Sequence, residues 1–186
     1  LPTIIETRPE TITTETIKIL KEIGCISVSI GVEAGNESQR KSLLNRTVSN
    51  DSIRSAFALL RKAKIRTASY NIIGFPFDTR EKVFETIELN KECMPDFINV
   101  FLFCPFPGTK LREYCLKNDL LETTAVVDYV MRSVIKDKNM SSKELAGLFR
   151  TFEHYVKLPK YLHPLVRRAE EPDRIGNAIL RLLSRF

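Results

Sequence analysis

The chain has 186 residues, of which 43% are hydrophobic and 28% are charged, as in an ordinary globular protein. This composition excludes a disordered chain and a collagen-like repeat, and no apolar run reaches the length of about 18–20 residues that a membrane-spanning helix needs. The net charge of +6 comes from 29 basic and 23 acidic residues that are spread along the chain, so a nucleic-acid-binding surface is not indicated.

Residues 1–120 alternate between short apolar runs and amphipathic segments, which predicts strands separated by helices. The predicted strands are 4–7, 26–32, 67–73 and 97–103. The predicted helices between them are one that ends at Gly24, one capped by Ser49 and one capped by Thr79, and a further helix follows at 111–118. Because strands joined by helices run parallel, we predict an α/β fold, either a doubly wound sheet or part of a barrel.

The strand around residues 25–33 favours the barrel. Alternate side chains along it are apolar, namely Ile26, Val28, Ile30 and Val32. The side chains between them are small or polar, namely Ser27, Ser29, Gly31 and Glu33. The apolar face suits packing against helices, whereas a polar face that ends in a carboxylate suits a ligand-holding interior. We therefore predict an incomplete parallel (β/α) barrel of about four strands, with Glu33 pointing inward.

Residues 121–186 differ from the first part, because they are predicted to be entirely helical. Ser141 begins a capping box with Glu144, and Asp173 can start the last helix. An apolar stripe on the first of these helices needs a packing partner, and it consists of Leu145, Leu148, Phe149 and Phe152. The sequence thus predicts a partial barrel over 1–120 and a helical extension, 121–186, packed on it.

The candidate ligand-binding segments follow the predicted strands, because ligands of parallel α/β folds bind at the carboxyl ends of strands. They are residues 6–9, 31–37, 71–76 and 104–109. Each of the four contains Gly or Pro, and three also carry polar side chains. One such segment alone is typical of an ordinary tight turn, but four in consecutive strands favour a binding site.

The sequences of three segments resemble those of the radical S-adenosylmethionine (SAM) enzymes. The segments read Ser29-Ile30-Gly31-Val32-Glu33-Ala34-Gly35-Asn36-Glu37, Tyr70-Asn71-Ile72-Ile73-Gly74-Phe75-Pro76 and Phe103-Cys104-Pro105-Phe106-Pro107-Gly108-Thr109. Their order is similar to that of the later strands of this family's partial barrel. The resemblance extends to the branch that often follows a cobalamin-binding domain and includes proteins named Fe–S oxidoreductases, and it covers most of the chain.

The resemblance implies two charged contacts to SAM. Glu33 matches the acidic residue that contacts the nucleoside, and a carboxylate can accept hydrogen bonds from two ribose hydroxyls. Arg46 matches a position from which a base reaches the methionine carboxylate. A surface carboxylate and a solvated arginine at the start of a helix are the corresponding structural alternatives.

The resemblance also implies an adenine-binding part. Ile72 and Gly74 belong to the stretch that packs on adenine, and Cys104 and Pro105 belong to the segment that offers backbone groups to it. The alternation of polar residues conflicts with the first assignment. It would point a different set of side chains inward, namely Ser69, Asn71 and Ile73.

The chain departs from the family in its cysteines. The family's C-x-x-x-C-x-x-C loop, whose thiolates hold a [4Fe–4S] cluster, does not occur in these 186 residues. No metal ligand is predicted, and we expect the thiols to be reduced, as is typical of a cytoplasmic protein. The resemblance then implies a C-terminal fragment of a catalytic domain. SAM and [4Fe–4S], with cobalamin also allowed, would belong to the full-length parent, and the fragment alone would hold no cofactor and be inactive.

Two other classes of function stay open. An iron-independent barrel enzyme would use Glu33 as an acid or base, and a non-catalytic module would bind a protein or nucleic acid through the basic helical tail. The partners that we expect are a small-molecule substrate and the missing N-terminal half of the domain. A second copy of the chain would pair through the sheet edge at residues 4–7.

Overall fold

The computed structural model describes residues 2–121, 134–136 and 139–185. Four strands form one parallel sheet in chain order, which confirms the predicted α/β class. The strands are β1 (Thr3–Thr7), β2 (Cys25–Glu33), β3 (Arg66–Ile73) and β4 (Phe97–Leu102). Parts of the predicted helical extension, residues 122–133 and 137–138, lie outside the described residues.

Helices follow each of the four strands. They are α1 (Thr14–Glu22), α2 (Glu37–Leu44), α3 (Asn50–Lys62), α4 (Arg80–Cys93), α5 (Lys110–Lys117), α6 (Ser142–Lys157), α7 (His163–Ala169) and α8 (Arg174–Leu183). Ser49, Ser141 and Asp173 cap α3, α6 and α8 by accepting a backbone N–H, as their positions in the sequence predicted. None of the described helices is both long and apolar enough to cross a bilayer.

One face of β2 forms the core of the first part of the chain. Val28, Ile30 and Val32 are fully buried, and they belong to a cluster with residues of α1, α3 and α4. Those helical residues include Leu20, Ile53, Phe57, Leu60 and Leu89. Burial of a large apolar side chain contributes about 1.5–3 kcal/mol, so this cluster fixes which face of the sheet the helices cover.

The other face of the sheet is the one on which candidate ligand-binding side chains lie. The parallel register places Glu6 beside Ser29 and Ser29 beside Ala68, and it places Gly31 beside Tyr70. Residues paired in this way share a face of the sheet, and this face is opposite to that of Val28 and Ile30. We call Glu6, Ser29, Gly31, Ala68 and Tyr70 the polar face.

The chain divides into two compact units. The first consists of residues 1–71 and 84–99, and the second consists of residues 72–83 and 100–186. The predicted boundary at residue 120 therefore falls inside the second unit. Within that unit, Leu145 of α6 lies against the turn that follows β3, because a methyl group at Gly74 would be 2.6 Å from Leu145 Cδ2.

Candidate functional site

The strand β2 ends in a strained turn at Glu33. The N–H of Ala34 donates to the carbonyl of Val32 at 2.9 Å, and Glu33 has a φ of +66°. This combination is typical of a γ-turn, which is rare in proteins. A non-glycine residue at positive φ costs about 1–3 kcal/mol and is often found at functional sites. The turn is thus the first structural sign of a site at this strand end.

The residues after Glu33 are held tightly by their surroundings. The N–H of Gly35 donates to Thr86 Oγ1 at 2.8 Å, and Asn50 Nδ2 donates to the Gly35 carbonyl at 3.0 Å. Gly35 also packs so closely on α4 that a Cβ would lie 2.3 Å from the carbonyl carbon of Glu85. These contacts keep the strained conformation in place, and a glycine is required at position 35.

Arg40 is the second element that holds this turn. Its fully buried guanidinium donates to the Ala34 carbonyl, to the Val48 carbonyl at 2.9 Å and to Asn50 Oδ1 at 2.7 Å. Burial lowers the pKa of Arg40, and Glu37 opposes that shift. Arg40 is not among the predicted site residues, because a single arginine in a polar segment has no sequence pattern that distinguishes it from a solvated arginine.

A buried amide pair lies behind the turn. Asn90 Nδ2 donates to Asn71 Oδ1 at 2.7 Å, and Asn71 Nδ2 donates to the Asn99 carbonyl at 3.0 Å. Asn71 and Ser69 are fully buried on the helix-covered face, so the alternation that pointed them inward was wrong. The physical reason is that Asn90 of α4 satisfies the amide of Asn71 there. Ile72, which is half-buried, therefore has the same direction as Tyr70.

The side chains of Glu33 and Arg46 meet on the polar face. Arg46 Nη1 lies 2.9 Å from Glu33 Oε1, and the two side chains are 24% and 14% exposed, respectively. A Cβ at Gly31 would lie 2.6 Å from that carboxylate oxygen, so the ion pair covers Gly31 directly. Burial raises the pKa of Glu33, while the charges of Arg46 and Arg8 oppose that effect. The structure thus brings together the two charged residues that the sequence singled out.

The other predicted site residues lie in the second unit. Gly74 has a φ of +80°, and its N–H donates to Asp78 Oδ2 at 2.9 Å. Cys104 is half-buried, and burial raises the pKa of its thiol. Pro105 is buried, and its carbonyl already accepts a hydrogen bond from Arg112 Nη1 at 3.0 Å. These predicted site residues therefore offer backbone and apolar groups, and none of them is charged.

The cysteines do not suit an iron–sulfur cluster. Cys25, Cys93 and Cys115 are buried, and burial raises the pKa of Cys93 to about 12. A cluster ligand is a thiolate, and this environment disfavours the thiolate. Within the described ranges, no three His, Cys, Asp or Glu side chains are grouped so that they would hold a metal ion. The four cysteines thus do not fit a [4Fe–4S] cluster.

Comparison with known sequences relates the chain to one family. Residues 1–89 match the profile of the radical SAM superfamily. An uncharacterised methyltransferase of Pyrococcus horikoshii is 31% identical over 160 residues, which are 86% of this chain and 34% of the relative. The anaerobic magnesium-protoporphyrin IX monomethyl ester cyclase of Cereibacter sphaeroides is 26% identical over 156 residues, which are 81% of this chain and 24% of the relative. The chain thus spans between about a quarter and about a third of the length of these relatives.

Comparison with solved structures shows a shared fold. Elp3 of Methanocaldococcus infernus matches with a TM-score of 0.63 at 17% identity, over 98% of this chain and 41% of that protein. The radical SAM methyltransferase TsrM of Kitasatospora setae, solved with cobalamin and a [4Fe–4S] cluster, matches with a TM-score of 0.61 at 14% identity, over 100% of this chain and 45% of that protein. Residues 1–89 thus belong to the radical SAM superfamily by sequence, and the solved structures show a shared fold.

Proposed function

We propose that this chain supplies part of the SAM pocket and part of the substrate cavity of a radical SAM enzyme. Glu33 accepts hydrogen bonds from the two ribose hydroxyls, and Arg46 binds the methionine carboxylate. The contacts to adenine are assigned to a second set of residues, namely Ile72, Gly74, Cys104 and Pro105. The observation that carries the proposal is the Glu33–Arg46 ion pair, which a strained turn holds over Gly31.

The chemistry of the ion pair suits a ligand that carries both a diol and a carboxylate. Without a ligand, the guanidinium of Arg46 compensates the half-buried carboxylate of Glu33. A diol donates two hydrogen bonds to that carboxylate, and a ligand carboxylate forms a charge-assisted contact with the guanidinium. The ligand would thus replace the single contact between Glu33 and Arg46 by one contact to each of the two side chains.

SAM bound at a [4Fe–4S] cluster supplies the radical chemistry for which the superfamily is named. The cysteines of this chain do not fit that cluster, so we assign it to a part of the parent enzyme other than these 186 residues. The isolated chain is then a catalytically inactive fragment that retains no cofactor, and it binds the separate parts of SAM only weakly. The named relatives, a methyltransferase and a cyclase, extend the proposal to group transfer or oxidation by the parent, with cobalamin as a further cofactor.

The test separates the two halves of the ligand. The ¹⁵N-labelled chain is titrated with adenosine and, in a second experiment, with methionine, and amide shifts are followed by NMR. We expect both ligands to shift the amides of Gly31 and Ala34. Glu33→Gln should abolish the response to adenosine alone, and Arg46→Gln should abolish the response to methionine alone.

The control for this test is Glu22→Gln, which changes an exposed carboxylate on α1. This variant should respond to both ligands like the wild type. The proposal is contradicted if neither ligand shifts the amides around Glu33, or if the two variants lose both responses equally.

One observation favours a second candidate function. Because burial raises the pKa of Glu33, the side chain also suits general acid–base catalysis in an iron-independent enzyme. In that case adenosine and methionine would not shift the amides around Glu33, so the same titration distinguishes the two functions.

A further inference from the structure

A second polar pair lies on the polar face, next to the proposed SAM contacts. The hydroxyl of Tyr70 donates to Glu6 Oε1 at 2.9 Å, although 64 residues separate the two in the sequence. Tyr70 lies on β3 and Glu6 on β1, so the contact passes over β2, the strand between them. Neighbouring strands are about 4.8 Å apart, so Tyr70 reaches across roughly 9.6 Å of sheet.

Small residues of β2 make this contact possible. Ser29 and Gly31 are the residues of β2 beside Glu6 and Tyr70, respectively. Gly31 is also the residue that the Glu33–Arg46 ion pair covers. The register thus places the Glu6–Tyr70 pair and the Glu33–Arg46 pair side by side within the first unit.

The two pairs differ in how their carboxylates are compensated. Glu33 has the cation of Arg46 at 2.9 Å. Glu6 is exposed, and among the described residues no lysine or arginine forms an ion pair with it. Its one described partner is the Tyr70 hydroxyl, which donates to one oxygen of the carboxylate, so the other oxygen can accept from a ligand. The pair therefore presents hydrogen-bond acceptors and a negative charge.

We propose that Glu6 and Tyr70 form a substrate subsite that binds a protonated amine. This inference rests on the proposed function, since it names the substrate group that lies beside the SAM contacts. The ammonium would supply the cation that Glu6 lacks and donate to its carboxylate, which the Tyr70 hydroxyl holds in place. The net charge of the chain is +6, so unspecific attraction would favour an anion over an ammonium.

The test compares three probes of the same shape. The ¹⁵N-labelled chain is titrated with 3-phenylpropylamine, 3-phenylpropan-1-ol and 3-phenylpropionate at constant salt, and the amides of Ser29, Gly31 and Ala68 are followed by NMR. We expect the amine to bind about tenfold more tightly than the alcohol, as a charge-assisted hydrogen bond predicts, and the carboxylate to bind most weakly.

Two variants test which side chains cause the stronger binding of the amine. Glu6→Gln should remove the advantage of the amine, and Tyr70→Phe should reduce it, whereas Glu22→Gln should leave it unchanged. Equal binding of the three probes, or an amine preference that persists in Glu6→Gln, would overturn the inference. The adenosine and methionine titrations depend on Glu33 and Arg46 and not on Glu6. They therefore test the proposed SAM site separately from the amine subsite.

Discussion

The turn after β2 carries a charged pair that is partly exposed, whereas the turn after β3 is covered by the helical extension. In the first turn, Glu33 and Arg46 keep 14% and 24% of their side-chain surface exposed. In the second, Leu145 packs on Gly74, and Arg80 at the start of α4 forms an ion pair with Glu170.

The partners of the two carboxylates explain the difference. Glu170 accepts from both Nη atoms of Arg80, at 2.5 and 3.0 Å, and from the hydroxyl of Tyr155 at 2.5 Å. Both of its oxygens are thus used inside the protein, as expected of a contact that joins α4 to α6 and α7. The described ion-pair partner of Glu33 is Arg46, and a ligand can share that carboxylate. Glu170 therefore has a structural role, whereas Glu33 is the carboxylate for which we propose ligand binding.

The largest effect that we predict is on stability, from Glu170→Ala. The change leaves Arg80 as a largely buried cation, which keeps its weaker contact with Glu144 at 3.3 Å. Loss of one member of a buried pair costs about 3–5 kcal/mol in the free energy of unfolding. Chemical denaturation measures this value. The matched control is Glu171→Ala, which removes a more exposed ion pair with Lys143 and should cost less than about 1 kcal/mol.

The second prediction concerns the packing behind the β2 turn. Gly35→Ala places a Cβ 2.3 Å from the backbone of Glu85, which cannot move without shifting α4. We expect a loss of about 1–3 kcal/mol, as for other overpacked positions, together with a weaker response to adenosine. Gly108→Ala is the control, because nothing lies within 4 Å of its Cβ position and its cost is limited to the positive φ of that residue. If Gly35→Ala and Gly108→Ala lose the same stability and Gly35→Ala binds adenosine like the wild type, the proposed role of Gly35 is contradicted.

The third prediction separates stability from binding at Glu33. Glu33→Gly relieves the positive φ of 66°, so the free energy of unfolding should rise by about 1 kcal/mol while the response to adenosine is lost. Thermal denaturation and the NMR titration measure the two effects. A variant that is less stable than Glu33→Gln would show that the turn is not strained.

The smallest effect is a pH dependence. Burial raises the pKa of Glu33 above the ordinary value of 4.5, so the charged carboxylate that we propose to bind the ribose is lost at a higher pH than the carboxylate of an exposed glutamate. Adenosine binding should weaken as the pH falls through this raised pKa. The free energy of unfolding changes with pH in the opposite direction. Relative to Glu33→Gln, the wild type should lose stability as the pH rises through the same range, because ionisation is disfavoured in the folded state. If the free energy of unfolding of the wild type and that of Glu33→Gln change with pH in the same way, the raised pKa of Glu33 is contradicted.

The sequence predicted the parts of the fold that depend on local pattern. The alternation along β2 identified its two faces, and the caps Ser49 and Ser141 marked the starts of helices. The helix α2 was missed, because its buried residues are Gln39 and Arg40 and it has no apolar stripe. Hydrophobic periodicity cannot reveal such a helix.

The parts of the site that depend on tertiary partners were not predictable. The strained conformation of Glu33 is kept in place because Thr86 binds Gly35 and Arg40 binds Ala34. Thr86 lies 51 residues from Gly35 in the sequence, and Arg40 lies 6 residues from Ala34. In the same way, Asn71 is buried because Asn90 of α4 complements its amide. A single sequence gives no signal for pairs of this kind, because each member alone is an ordinary polar residue.

The most direct test of the central claim observes the carboxylate itself. With ¹³C-labelled glutamate, the Cδ resonance of Glu33 is assigned by comparison with Glu33→Gln and followed against pH, with and without saturating S-adenosylhomocysteine. The ribose hydroxyls would donate to the ionised carboxylate and stabilise it. We therefore expect the ligand to shift the resonance and to lower the pKa of Glu33. A resonance and a pKa that are the same with and without the ligand would contradict the claim that Glu33 binds the ribose.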